Sequence, residues 1–334
     1  MRIVFLCRNQ DISIGSYRIW IHDLHKTLTE MGVDSVIMNP SDNFTLEVKN
    51  DVVILSKGDL DLSHGINKAF PENKIGVINL GAEHRDLPID FVIVGSLEEA
   101  DSVSLYPHVF FYPLIERIFE NIPIKAHEKE SFSAPLKLCY HGHLPHLAKF
   151  NPYLSAAIEE LNKEHPVELK IIAGNDKVKW EFGRPNIEDI TFKKWDINTI
   201  AEEIQSCDVG IVPNITDYSA QIRDNTNSAL GLYSTDYCFR FKNKSNAGRC
   251  FVFHQLGIPV VADLTPSNFH IMGDPKNGYL AMSKNGWLKA LKKLIDPSHR
   301  NEIAKNAKDT FDHLYNPVNW AERLVKEIGA MVNE

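Results

Sequence analysis

The sequence has few cysteines, and their spacing excludes a disulfide framework. There are five in 334 residues, and no two of them form a Cys-x-x-Cys pair. An odd number in so long a chain is typical of buried thiols that pack as small apolar side chains. We therefore predict structural roles for all five: Cys7, Cys139, Cys207, Cys238 and Cys250.

Long apolar runs and an excess of positive charge are also missing. No run approaches the ~18 apolar residues that cross a bilayer, and the first residues lack the small-residue cleavage site of a signal peptide. The chain carries 36 basic and 44 acidic side chains, a net charge of −8. This balance excludes a general nucleic-acid binder, which needs surplus basic residues. These absences predict a cytoplasmic protein with, at most, peripheral contact at the inner face of a membrane.

Short apolar runs alternate with longer amphipathic segments along the chain. The composition, 43% hydrophobic and 24% charged, is globular, and the length is typical of two domains. Continuous apolar runs are typical of strands buried on both faces of a parallel sheet, and in the first half they are residues 3–6, 34–38, 51–56, 75–80 and 91–95. Residues 17–31 have the apolar spacing of an amphipathic helix that ends at Gly32. The alternation predicts a doubly wound α/β domain.

The same pattern repeats after residues 124–135, a polar, charged segment with the composition of a linker. Predicted helices and strands alternate again, with helices at 152–162, 197–206 and 246–256 and strands at 137–140, 167–173, 209–212 and 259–262. We therefore predict an N-terminal Rossmann-like domain at 1–130 and a C-terminal one at 136–312. Residues 214–241 form an unusually long connection, which indicates a functional loop. Ligands bind such sheets beyond the carboxyl ends of the strands.

A basic loop runs directly into the predicted helix at 246–256. Lys242, Lys244 and Arg249 gather there, and Ser245 or Asn246 is a suitable N-cap. The free N–H groups and the dipole of a helix N-terminus favour anions. Two interpretations are open from these residues alone: a diphosphate site, or a solvated basic loop that caps a core helix.

The basic loop, its helix and residues 256–262 resemble the donor-binding segment of GT-B glycosyltransferases of the group 1, family 4-like type. Residues 140–144 with Lys149 resemble the Gly-Arg-Leu…Lys phosphate motif of that family, and residues 169–174 and 207–213 resemble two further strands of its donor domain. The resemblance covers nearly the whole chain in order. It implies two Rossmann-like doubly wound domains facing a cleft, with a C-terminal helix crossing back to the first domain.

The last segment has a pattern that agrees with such a crossing. A break at Asn316-Pro317 precedes apolar side chains at helical spacing, namely Trp320, Leu324, Val325 and Ile328. We predict a helix over 320–332 and expect residues 313–334 to pack back on the N-terminal domain.

The resemblance also implies site residues. It places the nucleotide-sugar donor at His143, Lys149, Lys244, Ser245, Asn246 and Arg249, and the acceptor at Gly15, Ser16, Tyr17 and Arg18. His143 stands where the family has Arg. The two Glu residues of the family, separated by seven, fall on Lys244 and Val252. The diphosphate charge is therefore expected to rest on Lys149, Lys244 and Arg249.

Two residues of the first domain are candidates for the catalytic step. His84 lies in the loop after the predicted strand at 75–80, where the resembled family has a His near the transferred sugar. Asp11 lies in the first loop. If the enzyme inverts configuration, a carboxylate or imidazole must take the proton of the acceptor hydroxyl. If it retains configuration, the donor phosphate can do so.

Two short patterns in the sequence have the spacing of metal-binding residues. His141, His143 and His146 have a spacing open to a zinc site, but no fourth ligand is close in sequence. Asp59-Leu60-Asp61 matches the metal-binding Asp-x-Asp of the other major glycosyltransferase fold, but the two-domain layout disfavours it. We therefore expect no metal and no cofactor.

Together these observations predict a metal-independent glycosyltransferase. It would move a sugar from a UDP- or GDP-activated donor to a hydroxyl of a saccharide or lipid-linked saccharide, in surface polysaccharide, lipopolysaccharide or other glycan assembly. The alternatives are a nucleotide-sugar epimerase on the same fold and a non-enzymatic two-domain sugar- or anion-binding protein. A nicotinamide dehydrogenase is disfavoured, because no Gly-x-Gly-x-x-Gly follows a strand.

Overall fold

The computed structural model describes residues 1–41, 51–80, 84, 86–128, 134–142, 150–174, 180, 183–214 and 246–334. The chain divides into two compact units. Unit 1 comprises Met1–Ile118 and His313–Glu334, and unit 2 comprises Phe119–Asp312. Each unit contains a six-stranded sheet in which all neighbouring strands run parallel. The predicted class, α/β with two parallel sheets, is confirmed.

The sheet of unit 1 has the order β2-β1-β3-β4-β5-β6. Its strands are β1 (Arg2–Leu6), β2 (Ser35–Met38), β3 (Asp51–Ser56), β4 (Lys74–Ile78), β5 (Phe91–Val94) and β6 (His108–Phe111). Alternate residues of β1 enter two different cores, Ile3 and Phe5 on one face and Val4 and Leu6 on the other. This two-sided burial is why the strand is a continuous apolar run.

The first helix of unit 1 has three parts instead of the single helix predicted at 17–31. These are α1 (Gly15–Tyr17), a π-helical segment (Arg18–Asp23) and α2 (Leu24–Glu30). Gly32 follows with φ +78°, a conformation that glycine adopts without steric cost, and the helix ends there. Three short elements follow: α3 (Leu62–Ala69), α4 (Leu97–Ser102) and a 3-10 turn (Arg117–Phe119).

The sheet of unit 2 has the order β9-β8-β7-β10-β11-β12. Its strands are β7 (Leu136–His141), β8 (Val167–Ala173), β9 (Ile190–Lys194), β10 (Val209–Val212), β11 (Val260–Asp263) and β12 (Tyr279–Ala281). The helices are α5 (Pro152–Asn162), α6 (Ile200–Gln205), α7 (Gly248–Gln255), α8 (Pro266–Met272), α9 (Lys284–Lys293) and α10 (Pro297–Leu314).

The segment expected to be a linker is attached to unit 2 over its first residues. The Lys125 ammonium donates to an Asp208 carboxylate oxygen at 3.0 Å, and its backbone N–H donates to Leu256 O at 2.9 Å. The His127 ring lies 3.0 Å from Gly257 O. The polar composition of this segment therefore reflects an ion pair and hydrogen bonds with unit 2, and not a linker without contacts. Residues 129–133 of the expected linker lie outside the described residues.

The last helix, α11 (Pro317–Val332), belongs to unit 1. Asn316 caps it by accepting from the N–H groups of Val318 and Asn319. Its buried side chains enter the same core as Ile3 and Phe5, and they are Ala321, Leu324, Ile328 and Met331. This apolar stripe at three- and four-residue spacing is the one that the sequence showed.

Candidate functional site

A pocket of about 210 Å³ opens in unit 1 at the carboxyl ends of β1, β3 and β4. The chain leaves β1 toward β2 on one side and returns to β3 on the other, so this is the point where strand order reverses. Such switch points are the usual ligand crevices of doubly wound sheets. The pocket is lined by Cys7, Asn9, Ile14, Ser16, Tyr17, Trp20, Ile21, Ser56, Lys57, Gly58, Ile78 and Asn79.

The π-helical segment forms the apolar wall of this pocket. It supplies Trp20 and Ile21, and Tyr17 precedes it. A π-helical stretch inside an α-helix is rare and is found frequently at functional sites. Across the pocket, Asn79 has φ +54°, which is uncommon outside glycine and is tolerated best by Asn, Asp and His. Local backbone conformation is therefore unusual on two sides of the pocket.

The structure separates the four predicted acceptor residues into two groups. Ser16 and Tyr17 line the pocket, whereas Gly15 and Arg18 are not among its lining residues. Arg18 is 3% exposed, and its guanidinium donates to Glu116 Oε2 at 2.7 Å. Its Nη1 donates to Ile12 O and Ser13 O within the preceding loop, and the predicted contact of Arg18 with the acceptor stays a prediction. Sequence reasoning missed Glu116, since it lies 98 residues away along the chain.

Neither predicted catalytic residue is among the described residues that line the pocket. Asp11 is exposed and accepts from Ser13 N–H at 2.8 Å; this hydrogen bond lowers the pKa of Asp11. His84 is exposed as well. Its backbone is fixed by Tyr106, whose hydroxyl accepts from His84 N at 3.0 Å and donates to His84 O at 3.1 Å. The neighbouring residues 81–83 and 85 lie outside the described residues.

Both aspartates of the Asp-x-Asp pattern are paired with an arginine side chain of the same chain. Arg8 donates to Asp61 at 2.7 Å and to Asp59 at 3.3 Å, and Asp59 also accepts from the Ser56 hydroxyl at 2.6 Å. Within the described part of the chain no cluster of His, Cys, Asp and Glu has the composition of a metal site. His141 packs against Phe253, with ring centroids 4.9 Å apart. The other two histidines of the triplet lie outside the described residues.

The second candidate site lies in unit 2, where strand order reverses between β7 and β10. Helix α7 begins there. Its N-cap is Ala247, without a side-chain cap, which corrects the expected cap at Ser245 or Asn246. Asn246 still contributes, because its Oδ1 accepts from Gly248 N–H at 3.3 Å. Four predicted donor residues lie outside the described residues, namely His143, Lys149, Lys244 and Ser245, as do Lys242 and residues 215–241 of the long connection.

Arg249 joins three elements at this switch point. Its guanidinium lies over the Tyr140 ring at 5.4 Å from the centroid, a cation–π distance. Nη2 donates to Pro213 O at 3.4 Å and to Asn214 Oδ1 at 3.3 Å. Nη1 is buried and has no hydrogen-bond partner among the described residues. A buried cationic donor without a partner is costly, and an anion bound at this switch point would offset that cost.

Two further features give this site its shape. Asp263, at the end of β11, accepts from Asn214 N–H at 2.7 Å and from the Asn151 amide at 2.8 Å, and so holds the end of β10 against the start of α5. Gly142 has φ +147°, and a Cβ there would lie 3.3 Å from Arg249 Cδ.

Burial raises the pKa of Tyr140, against the opposing effect of Arg249, so the ring beneath Arg249 is a neutral phenol.

Comparisons with solved structures match this chain at low identity. Sucrose-phosphate synthase from Thermosynechococcus elongatus gives a TM-score of 0.66 at 12% identity, covering 99% of this chain and 98% of that one. A structure described as trehalose-6-phosphate from E. coli bound with UDP-2-fluoro glucose gives 0.64 at 10% identity, covering 100% and 99%. A variant of S. aureus TarM, in complex with fondaparinux, alpha-GlcNAc-glycerol and UDP, gives 0.58 at 14% identity, covering 86% and 56%.

The chain thus spans about half the length of TarM and nearly the full length of the other two. No protein-family model and no curated protein matches the sequence. At these identities the likeness shows the fold, which is GT-B. No helix of the described residues is long and apolar enough to span a bilayer.

Proposed function

We propose that this protein is a glycosyltransferase that moves a sugar from a UDP- or GDP-activated donor to a hydroxyl of a saccharide or lipid-linked saccharide. The observation that carries the proposal is the buried, unpartnered Nη1 of Arg249 at the start of α7. The solved structures with the same fold support it, since one is described with UDP and another with UDP-2-fluoro glucose. Assembly of a surface polysaccharide, a lipopolysaccharide or another glycan is the role we infer.

Unit 2 would hold the donor. Arg249 presents a planar fork that suits phosphate oxygens, and the N–H groups at the start of α7 add a positive field. Both interactions strengthen as the diphosphate leaves with its negative charge, which is how such a site accelerates transfer. His143, Lys149, Lys244, Ser245 and Asn246 complete the donor site that we infer, and no metal is needed for this chemistry.

Unit 1 would hold the acceptor in the pocket beyond β1, β3 and β4. Its wall of Tyr17, Trp20 and Ile21 offers an apolar and aromatic surface, and Ser16 offers a hydroxyl. Burial raises the pKa of Tyr17, so its phenol is neutral and can both donate and accept. We keep His84 as the proposed base for an inverting reaction, with Asp11 as the second candidate.

A nucleotide screen tests the donor half of the proposal. Wild-type protein is heated with UDP, GDP, CMP, TDP or ADP, and a ligand at 100 times its dissociation constant adds about 2.7 kcal/mol of stability. We expect UDP or GDP to raise the melting temperature, and Arg249→Ala to remove most of that rise when each protein is compared with its own ligand-free melting temperature. Failure of all five nucleotides to stabilise the wild type contradicts the proposal.

A second assay separates sugar transfer from the alternatives. The nucleotide sugar whose nucleotide binds is incubated without an acceptor, and the sugar is then analysed. We expect slow release of the free sugar or no change. Conversion of the donor into a different nucleotide sugar identifies an epimerase instead. A donor that binds but stays unchanged is then incubated with saccharide acceptors, and the absence of transfer to every one of them identifies a binding protein.

A further inference from the structure

Two consecutive residues, Glu116 and Arg117, hold the two ends of the π-helical segment that lines the unit 1 pocket. At the first end, Glu116 Oε2 accepts from Arg18 Nη2 at 2.7 Å and from Arg18 Nε at 3.2 Å. At the other end, the Arg117 N–H donates to Asp23 Oδ2 at 3.0 Å. The Arg117 guanidinium also donates to Glu30 at 2.7 Å. The segment between Arg18 and Asp23 is therefore fixed from outside its own helix.

Arg18 also forms hydrogen bonds with the loop that precedes the helix. Its Nη1 donates to Ile12 O at 2.9 Å and to Ser13 O at 3.3 Å. The next residues along the chain include three that line the pocket, Ile14, Ser16 and Tyr17. The guanidinium thus connects the Glu116 carboxylate to the loop that shapes one wall of the pocket.

The ion pair is nearly closed to water, with side-chain exposures of 4% for Arg18 and 12% for Glu116. Burial raises the pKa of Glu116, and the charge and hydrogen bonds of Arg18 act against that rise. A buried pair of this kind commonly adds less stability than apolar side chains of the same volume, and in some proteins such pairs fix one conformation instead. The directional contacts of Arg18 with two loop carbonyls agree with that role.

We propose that Glu116 is a positioning residue for the acceptor: through Arg18 it holds residues 12–17 in the shape that receives the acceptor. The loop restraint stands on the contacts above, and its effect on the acceptor rests on the proposed function. Glu116 does not line the pocket, so its effect on the acceptor is indirect.

The experiment compares Glu116→Gln with a matched control in the same unit. Asp51 is 2% exposed and accepts from Arg2 Nε at 2.8 Å, and this pair lies where β1 and β3 begin, at the opposite end of the sheet from the pocket. Asp51→Asn therefore removes a buried ion pair without touching the loop. Hydrogen–deuterium exchange is measured for peptides that contain the hydrogen-bonded amides of Ile14, Tyr17 and Arg18.

We expect exchange in these peptides to become at least tenfold faster in Glu116→Gln and to stay at the wild-type rate in Asp51→Asn. Equal rates in all three proteins overturn the proposal. If Glu116→Gln does not fold, Arg18→Lys gives the same comparison, because it keeps the charge but offers a single nitrogen for the carboxylate and the two carbonyls.

Kinetics then test the effect on the acceptor. We expect Glu116→Gln to raise the acceptor KM at least fivefold with an unchanged donor KM, and Asp51→Asn to change neither. Fast loop exchange with an unchanged acceptor KM overturns the positioning role while sugar transfer stands. If the wild type transfers no sugar, the proposed function fails, and the exchange rates still decide whether Glu116 holds the loop.

Discussion

The two units place their candidate sites at the same point of similar sheets but give them different chemistry. In unit 1 the pocket follows β1, β3 and β4, and its described lining residues carry one cation, Lys57, and no carboxylate. In unit 2 the switch point between β7 and β10 holds the half-buried guanidinium of Arg249. The sheet decides where a ligand binds, and the residues after the strands decide which ligand it is.

The units also differ in what holds them together. Unit 2 ties its first residues to its sheet with charges around Asp208, where Lys125 lies at 3.0 Å and Arg300 at 3.7 Å. Unit 1 completes its core with the apolar face of α11. Substitutions that disturb one unit and spare the other therefore test this comparison directly.

The largest effect is expected from Asp208→Asn in unit 2. Burial raises the pKa of Asp208, but the His127 side chain and the Lys125 ammonium outweigh it and hold the pKa well below its usual range. Removing the carboxylate leaves buried cations uncompensated, which costs about 3–5 kcal/mol of unfolding free energy. Urea unfolding at pH 7 measures the loss, and hydrogen exchange should assign it to peptides of unit 2.

The pH dependence of that loss has a defined sign. A carboxyl whose folded pKa is lowered contributes stability that is present above the unfolded pKa, about 3.9, and is lost as pH falls through the folded pKa. The stability difference between wild type and Asp208→Asn should therefore stay constant from pH 7 to about pH 5 and shrink below about pH 4. A difference that grows on acidification contradicts the assignment.

The next effect is expected from Ile328→Ala in unit 1. Ile328 is fully buried on α11, and truncating a buried Ile to Ala costs about 2–5 kcal/mol. Faster hydrogen exchange should be confined to peptides of unit 1. Leu314→Ala is the matched control, because Leu314 is 49% exposed and its truncation should change stability by less than about 0.5 kcal/mol.

Arg249→Ala tests the cationic candidate site of unit 2. We expect it to weaken binding of the nucleoside diphosphate by about 1.5–3 kcal/mol, the usual contribution of a charged hydrogen bond, and to leave binding of the bare nucleoside unchanged. Arg249→Lys should restore part of the loss, because the planar fork is gone. Calorimetric titration measures both ligands.

The control for Arg249 is Lys163→Ala, whose side chain is 70% exposed at the end of α5. It changes the net charge equally and should leave both affinities as they are. Small, equal effects of Arg249→Ala on the two ligands would show that this cation is not at the phosphates.

The smallest effect is expected from His84→Ala in unit 1. Turnover should fall tenfold or more, about 1.4 kcal/mol in activation free energy, with nucleotide affinity unchanged. His64→Ala, at an exposed position of α3, is the control and should turn over normally. Tyr106→Phe removes the hydroxyl that fixes the His84 backbone and should give an intermediate rate. Weaker nucleotide binding with normal turnover in His84→Ala would reverse the assignment.

The sequence predicted central strands well and edge strands poorly. β1 and β3 are buried on both faces, so they are continuous apolar runs that stand out along the chain. The three strands that were not predicted, β6, β9 and β12, all lie at sheet edges. β9 shows why, because it has no fully buried residue and ends in two lysines. An edge strand loses the pattern because one side of it faces water.

The candidate sites were predictable only in part, for a different reason. Ser16 and Arg249 belong to local motifs, so a short stretch of sequence identifies them. Glu116 reaches Arg18 across 98 residues, and Asp263 reaches Asn214 across 49. Such contacts exist only once the sheet has formed. The π-helical segment also escaped prediction, because its apolar residues have the same spacing as an α-helix.

The return of α11 to unit 1 has a consequence for biosynthesis. As the chain is made, β1 to β6 are followed by all of unit 2 before α11 is synthesised. Until then the core around Ile3 and Phe5 lacks the side chains that α11 supplies. Unit 2 is continuous in sequence, so all of its residues are present before α11 is made, and its core can be completed before that of unit 1. The first strands to be synthesised therefore remain without α11 for the longest time. During that interval the apolar face that α11 covers is exposed, and exposed apolar surface is what chaperones bind.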